Sequence, residues 1–391
     1  MEDYDIFNEM KNVTNKKTII VIETDENFII KNLLNSNFEI MPVRFDYDLS
    51  CFSADYIDKT KELFTFYYNE KNNYKNELLR LKKHFVHYQR NPSIAYIPNH
   101  KKYLKLKKML TEIGVECISS KQQLINVINK KLIFIDIDDT LRKSDGTISE
   151  RVKKAIHDNK QSGNKIVICT ARPRYQVLEL IKELDTEDVI VSSNGSEIYD
   201  NNNKNIIFSS FIDRDSINEL VEYAYTRDIR LILTMDNYDY VTKNIRNSNQ
   251  KLLNEKSYIE NLAKCNVKQC MFIDNKNNEI CEIKDIISKN SKLYIVDEIS
   301  EDSVFDEMWF SVINSNCSKG SALEFLSSYL NIPIENTIAI GNDKNDISMF
   351  DVAGISVAVA NASNYIKDKV DYVTLSNDND GVAIFLETLI K

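Results

Sequence analysis

Leu132-Ile133-Phe134-Ile135-Asp136-Ile137-Asp138-Asp139-Thr140-Leu141 is the stretch on which the reading of this chain turns. Its first four residues are apolar and uninterrupted, the pattern of a short strand buried on both faces. That strand runs straight into acids. Working outward, the same pattern repeats. Residues 149–162 read as a helix stopped by Gly163, and Lys165-Ile166-Val167-Ile168-Cys169 as a second strand ending in Thr170-Ala171-Arg172. A helix over 173–184 follows, then Val189-Ile190-Val191 ending in Ser193-Asn194-Gly195. These are β-α-β units and they predict an α/β, Rossmann-like parallel sheet. The polar residues fall just after the strands, at the edge where such sheets bind ligands.

Residues from about 197 to 312 change character: strands near 205–210, 230–235, 269–274, 292–296 and 308–313, and helices near 214–227, 256–264 and 279–289. This predicts an α+β block inserted into the sheet, with an Asn- and Lys-rich loop over 242–257. The sheet then resumes with helix 319–330, strand 337–340 ending in Gly341-Asn342-Asp343-Lys344-Asn345-Asp346, helix 347–352, strands 355–359 and 372–374, and helix 381–390. Ahead of all this, strands at 18–22, 38–43, 93–97 and 115–118 alternate with helices at 26–34, across 55–90, at 100–113 and at 121–129. Leu104, Leu106, Met109, Leu110 and Ile113 form the apolar stripe of the third of these helices. The expected organisation is an N-terminal α/β domain over 1–128, a core built from 129–196 and 313–391, and an inserted α+β domain over 197–312.

Composition narrows the function. Fifty basic against 59 acidic residues give a net charge of −9. Nucleic acid and anionic membranes both select a basic face, so neither is an expected partner. No apolar run approaches the ~20 residues of a membrane span, and the acidic start Met1-Glu2-Asp3 lacks the order of a signal peptide. Seven scattered cysteines, Cys51, Cys117, Cys169, Cys265, Cys270, Cys281 and Cys317, make no CxxC pair and read as reduced thiols of a cytoplasmic protein. His84 and His87 share a helix face, but no third ligand accompanies them, so they read as structural.

Four elements carry chemistry. Asp136 and Asp138 sit two apart past a buried strand, where extended geometry turns both to one side. Their repulsion favours a divalent cation or a shared proton between them, and an oxygen-only site suits Mg²⁺. Thr170 places a hydroxyl at the end of the neighbouring strand. Lys319 opens a helix, where the dipole disfavours a cation unless an anion is near. Asn342, Asp343, Asn345 and Asp346 follow another buried strand. Each has a bland reading as a cap, turn or surface group; together on one sheet edge they supply nucleophile, hydroxyl, ammonium and metal ligands, the set that phosphoryl transfer through an aspartyl phosphate needs.

In their order, Asp136-Ile137-Asp138-Asp139-Thr140-Leu141, Thr170-Ala171-Arg172, Ser318-Lys319-Gly320 and Gly341-Asn342-Asp343-Lys344-Asn345-Asp346 resemble the four motifs of the haloacid dehalogenase (HAD) superfamily of phosphatases, in its Cof-type branch (subfamily IIB) with a C2 cap. The resemblance covers 131–391; the first 130 residues lie outside it. The opening Thr18–Asn27 faintly resembles a two-component receiver domain, but no phosphoacceptor follows, and a docking or regulatory role is expected there, with 1–128 a candidate contact for a protein partner or a second copy.

The resemblance implies a role for each matching residue. Asp136 would be the nucleophile and Asp138 the general acid and base. Thr170 would bind a phosphoryl oxygen, and Lys319 would neutralise charge. Mg²⁺ would be held by Asp136, the Asp138 carbonyl, Asn342 and Asp346, with Asp343 adjacent. Thr140, Arg172, Asn194, Gly195 and Asn345 would contact substrate, with Asp236, Asn237 and Tyr238 as further cap contacts. One departure stands out: this branch usually has Asp where Asn342 stands, which predicts a weaker metal site with Asp346 carrying more of the ion. The implied activity is hydrolysis of a phosphomonoester of a small metabolite: a sugar phosphate, nucleotide or cofactor. The alternatives are a phosphomutase of the same cap type, or a low-activity ligand-sensing or scaffold protein.

Overall fold

The computed structural model describes residues 18–22, 39–44, 64–65, 92–97, 104–120, 130–184, 189–253, 265–274, 277–296, 300–302 and 307–390. The chain divides into two compact units, Met1–Lys130 and Lys131–Lys391.

The first unit holds strands β1 (Thr18–Ile22), β2 (Glu39–Arg44), β3 (Phe64–Thr65), β4 (Pro92–Tyr96) and β5 (Glu116–Ile118), with helix α1 (Leu104–Glu112) between the last two. The strands pair in the order β3-β2-β1-β4-β5, every pair parallel. Strand β3 lies inside the stretch read as helix over 55–90: it pairs with Val43 and Arg44, so sheet pairing overrides local helical composition. On α1, Met109 and Leu110 are buried with Ile113 just beyond, whereas Leu104 at the helix start is exposed. The helices expected at 26–34 and 121–129, most of 55–90 with His84 and His87, and Cys51 lie outside the described residues.

The second unit runs β6 (Leu132–Ile135), α2 (Glu150–Gln161), β7 (Lys165–Cys169), α3 (Arg174–Glu183), β8 (Val189–Ser192), β9 (Glu197–Asp200) and β10 (Asn205–Ser209). It continues with α4 (Arg214–Arg227), β11 (Arg230–Thr234), β12 (Asp239–Val241), β13 (Gln250–Leu252), β14 (Gln269–Asp274), α5 (Asn277–Ile287), β15 (Leu293–Ile295), β16 (Ser300–Asp302) and β17 (Glu307–Asn314). It closes with α6 (Lys319–Tyr329), β18 (Thr337–Gly341), α7 (Ile347–Phe350), β19 (Ile355–Ala358), α8 (Asn364–Lys367), β20 (Tyr372–Val373) and α9 (Gly381–Thr388).

Two sheets result. The core sheet has the order β10-β9-β8-β7-β6-β18-β19-β20, parallel from β8 to β20. Strands β9 and β10, which sequence placed in the inserted block, hydrogen-bond antiparallel onto its β8 edge. Side-chain alternation marks a strand but not the sheet it joins. The second sheet, β13-β12-β11-β14-β17-β15 with β16 on β17, is built from the inserted residues. Strand β13 falls inside the loop expected over 242–257 and β12 where no element was expected, because three-residue strands are too short to show a period.

Strand β6 is buried on both faces. Ile133 and Ile135 pack with Ile168, Ile338, Ile340, Val177 and Leu386 on one side, and Phe134 packs with Val167, Cys169, Ala339, Leu323 and Leu326 on the other. Burying each such side chain contributes about 1.5–3 kcal/mol. The register pairs Ile135 with both Ile168 and Ile340, so β6, β7 and β18 end level and deliver Asp136, Thr170 and the loop after Gly341 to one edge. Among the described residues Cys117, Cys169, Cys270, Cys281 and Cys317 form no disulfide, and no helix is long and apolar enough to cross a membrane.

Helix α6 approaches α7 so closely that a Cβ at Gly320 would lie 2.1 Å from the Ser348 carbonyl oxygen. Backbone cannot swing aside as a side chain can. Gly320→Ala is therefore expected to lower stability by about 1–3 kcal/mol in urea unfolding followed by circular dichroism; an unchanged midpoint would contradict this packing.

Candidate active site

Lys319 sits in the first turn of α6, and Ser318 ahead of it accepts from the Ser321 N–H as N-cap. The helix therefore starts at a defined residue and directs the lysine into the sheet edge. Its Nζ donates to Asp136 Oδ1 at 2.7 Å and to Asp346 Oδ1 at 2.6 Å. All three residues are buried, at 1, 6 and 0 % exposure. The other Asp346 oxygen accepts from the backbone N–H groups of Asn342 and Asp343 at 2.9 and 3.1 Å. Gly341 makes room for that carboxyl, since a Cβ there would meet Asp346 Oδ2 at 2.3 Å. Burial pushes the Asp136 pKa up to about 7, with the Asp346 and Asp138 charges adding to it and Lys319 opposing. Burial also acts to lower the Lys319 pKa, but the charges of Asp136 and Asp346 outweigh it and hold the ammonium above the usual lysine range.

Asp138 lies in the wide turn Ile137–Leu141, where Asp139 takes a positive φ of 55°. Its carboxylate is half-exposed and meets Arg172 in a fork: Nε to Oδ2 at 2.7 Å and Nη2 to Oδ1 at 2.6 Å. Two parallel charge-assisted bonds fix direction as well as distance. The two acids thus differ sharply: Asp136 is buried on a lysine, and Asp138 is accessible on an arginine. Thr170 is buried, and its Oγ1 accepts from the Arg172 N–H at 3.1 Å. Thr140 donates to Asn342 Oδ1 at 2.8 Å, holding that amide toward the β6 turn. Asp343 is exposed, and its Oδ1 accepts from the Lys344 N–H at 2.8 Å.

Asn194, φ 54°, bridges outward: its Nδ2 donates to Gln269 Oε1 at 3.1 Å, and its Oδ1 accepts from Asn345 at 3.4 Å. Gly195 has φ 95°, and a Cβ on it would strike the Ser318 carbonyl at 2.1 Å. Its place is to let the β8 loop press on the start of α6.

Residues that sequence reasoning passed over join core to cap. Glu197, fully buried, accepts from Arg174 at 2.8 Å and from the buried Lys268, which also pairs with Asp236. Tyr175 donates to Asp239 Oδ2 at 2.8 Å. The available signal was an acid opening the apolar β9 and a Lys-Gln pair opening the apolar β14. Of the proposed cap contacts, Asp236 is held by Lys268, and Tyr238 packs edge-on against Tyr240 beneath Lys251.

Among the described residues no group of three or more His, Cys, Asp or Glu side chains is arranged to hold a metal ion. The β6 and β18 loops instead offer mixed oxygen donors: the Asp136 carboxylate, the Asn342 amide oxygen held by Thr140, and backbone carbonyls. Hard donors of this kind, too few to strip an ion of its waters, fit Mg²⁺.

Removing the lysine charge strands two buried carboxylates. Lys319→Met is expected to lower stability by about 3–5 kcal/mol, as breaking a buried pair does, measured by urea unfolding. A cost below about 1 kcal/mol, the scale of an exposed pair, would contradict the buried geometry.

A family model described as haloacid dehalogenase-like hydrolase matches residues 133–386. The phosphatase YwpJ of Bacillus subtilis is 27% identical over 290 residues, covering 66% of this chain and all of that protein. The 5-amino-6-(5-phospho-D-ribitylamino)uracil phosphatase YcsE of the same organism is 28% identical, covering 66% of this chain and 94% of its own. In fold, a haloacid dehalogenase-like hydrolase from B. subtilis superposes with a TM-score of 0.59 at 23% identity, over 66% of this chain and 99% of that one. The subclass IIB sugar phosphatase BT4131 does so at 0.56 and 20%, over 66% and 98%.

Proposed function

The chain belongs to the haloacid dehalogenase-like hydrolases, and from that premise we propose that it is a Mg²⁺-dependent phosphatase acting on a phosphomonoester of a small metabolite. The observation that carries the reading is the buried lysine between two carboxylates at the level ends of β6 and β18. It fits a site whose job is to hold a nucleophilic carboxylate beside a dianion.

Each residue then has a task. Asp136 attacks phosphorus, the ester P–O bond breaks, and Asp138 gives its proton to the departing oxygen. Water then attacks the same phosphorus while Asp138 takes its proton; the bond to Asp136 breaks and phosphate leaves. A single carboxyl serves as acid and then base because it is accessible to both leaving group and water. In the resting site Arg172 holds it as a carboxylate through their forked hydrogen bonds; opening the fork at one oxygen frees that oxygen to take up and then deliver the proton while the other keeps the carboxyl's direction. Lys319 holds one Asp136 oxygen and offsets charge in a dry site, where such stabilisation is strongest. The Thr170 hydroxyl donates to a phosphoryl oxygen. Mg²⁺, when bound, offsets the repulsion between carboxylate and phosphate. Asp136, the Asp138 carbonyl and Asn342 would hold it. Asp346, whose oxygens are engaged by Lys319 and two backbone N–H groups, serves as anchor for the lysine. The sheet of β11–β17 covers the leaving group and keeps out water.

With Mg²⁺ the protein is expected to release phosphate from p-nitrophenyl phosphate, and chelation should abolish that release. Asp136→Asn should be inactive, and Asp138→Asn should lose about 10²–10⁴-fold in kcat, by stopped and continuous phosphate assays. Full activity in either variant overturns the assignment.

Asn342→Asp tests the amide ligand separately: it should lower the Mg²⁺ concentration needed for half-maximal rate by about tenfold, roughly the value of one added charge-assisted contact. An unchanged requirement would remove Asn342 from the metal site.

A further inference from the structure

The turn and helix that follow β18 have two faces. Lys344, Ile347, Ser348 and Asp351 are spaced i, i+3, i+4, i+7 and share one of them. Asp346, Met349 and Phe350 fall on the other and are buried, Asp346 against Lys319. The first face lines a cleft of 330 Å³, bounded on the cap side by Lys284 of α5 and Tyr294 of β15, and further along the core by Tyr365 of α8. The cleft therefore lies behind the turn that anchors the buried lysine. Core and cap each supply part of its wall, and none of its described lining residues is assigned to phosphoryl transfer.

That wall combines three kinds of group. Two cations, Lys284 and Lys344, come from opposite sides. Two aromatic rings stand out of the core, Tyr294 at 41 % exposure and Tyr365 at 56 %. Lys369 lies 5.1 Å from the centre of the Tyr365 ring and brings a third cation. Asp351 is the one acid among the described lining residues. A flat base stacks on tyrosine, a phosphate meets lysine ammonium groups, and an amine or hydroxyl donates to a carboxylate. The volume is in the range of small-molecule sites.

We propose that this cleft is a second ligand site, separate from the phosphoryl site, that takes a nucleoside monophosphate and bridges cap to core through it. Its position gives the occupant a route to the catalytic residues. The Ser348 hydroxyl in the wall accepts from the Gly320 N–H at 3.2 Å, one residue beyond Lys319. An occupant therefore bears on the contact that seats α6 and, with it, the ammonium. A ligand held by both walls favours the arrangement in which they face each other, which is the differential affinity that coupling to cap position requires.

Adenosine 5′-monophosphate is the probe, titrated calorimetrically into the full chain carrying Asp136→Asn so that no ester is consumed. Adenosine, which lacks the anion, and ribose 5-phosphate, which lacks the base, are the controls. The nucleotide should bind at least about tenfold more tightly than either, because each half of it has its own partner. Lys284→Glu on the cap and Tyr365→Ala on the core should each weaken it by about tenfold, whereas Tyr365→Phe, which keeps the ring, should leave it within about twofold. Absence of binding at millimolar nucleotide, a control that binds as tightly, or an affinity unmoved by Lys284→Glu or by Tyr365→Ala overturns the proposal. Should one variant not fold, the other and the two controls decide. The readout is binding, so failure of the wild type to cleave p-nitrophenyl phosphate would strike the phosphatase reading and leave this one to its own test.

Discussion

One buried ammonium organises this molecule. Lys319 arrives from a helix that begins after the inserted sheet, and its Nζ meets carboxylates from two different strand-end loops. Alone, any of the three charges would be too costly to bury; together they satisfy one another. The arrangement explains the small residues around it. Gly341 leaves room for the Asp346 carboxyl, Gly320 lets α6 settle on α7, and Gly195 lets the β8 loop close on Ser318. These close approaches position one nitrogen atom, and the level ends of β6, β7 and β18 supply the rest of the site.

The two acids of the Asp136-Ile137-Asp138 stretch show how environment separates like residues. Spacing alone placed them on a common side and gave them common chemistry. In the fold one is buried against an ammonium, and the other is half-exposed in the fork of a guanidinium. A nucleophile gains from being held in a dry cleft; an acid that must serve a leaving group and then water gains from access and orientation. Arg172, expected to contact substrate, here contacts the acid.

The joint between core and cap is polar and buried. Glu197 with Lys268 and Arg174, Asn194 with Gln269, and Tyr175 with Asp239 each take one partner from the core or its margin and one from the second sheet. Polar contacts of this kind are directional, so they set register between the two sheets where an apolar contact would only set distance. The Asn345–Asn194–Gln269 chain of amides runs from the loop of β18 to a strand of the cap, tying the geometry of the cap to that of the site.

The core was legible from local pattern. The apolar runs at 132–135, 166–169 and 338–340 can only be buried, and the residues that follow them emerge at a sheet edge, which sets Asp136, Thr170 and Asn342 there. The helices 214–227 and 319–329 were legible for the same reason, their period being long enough to read. Contact across the chain fixed the rest: that β9 and β10 extend the core sheet, that Asp346 anchors a lysine, that Arg172 holds Asp138, and that Tyr175 meets Asp239. Local pattern reports which faces of a segment are apolar. It carries no record of which charged group, tens or hundreds of residues away, will stand opposite, because that choice is made by packing and by the requirement that buried charges find a partner.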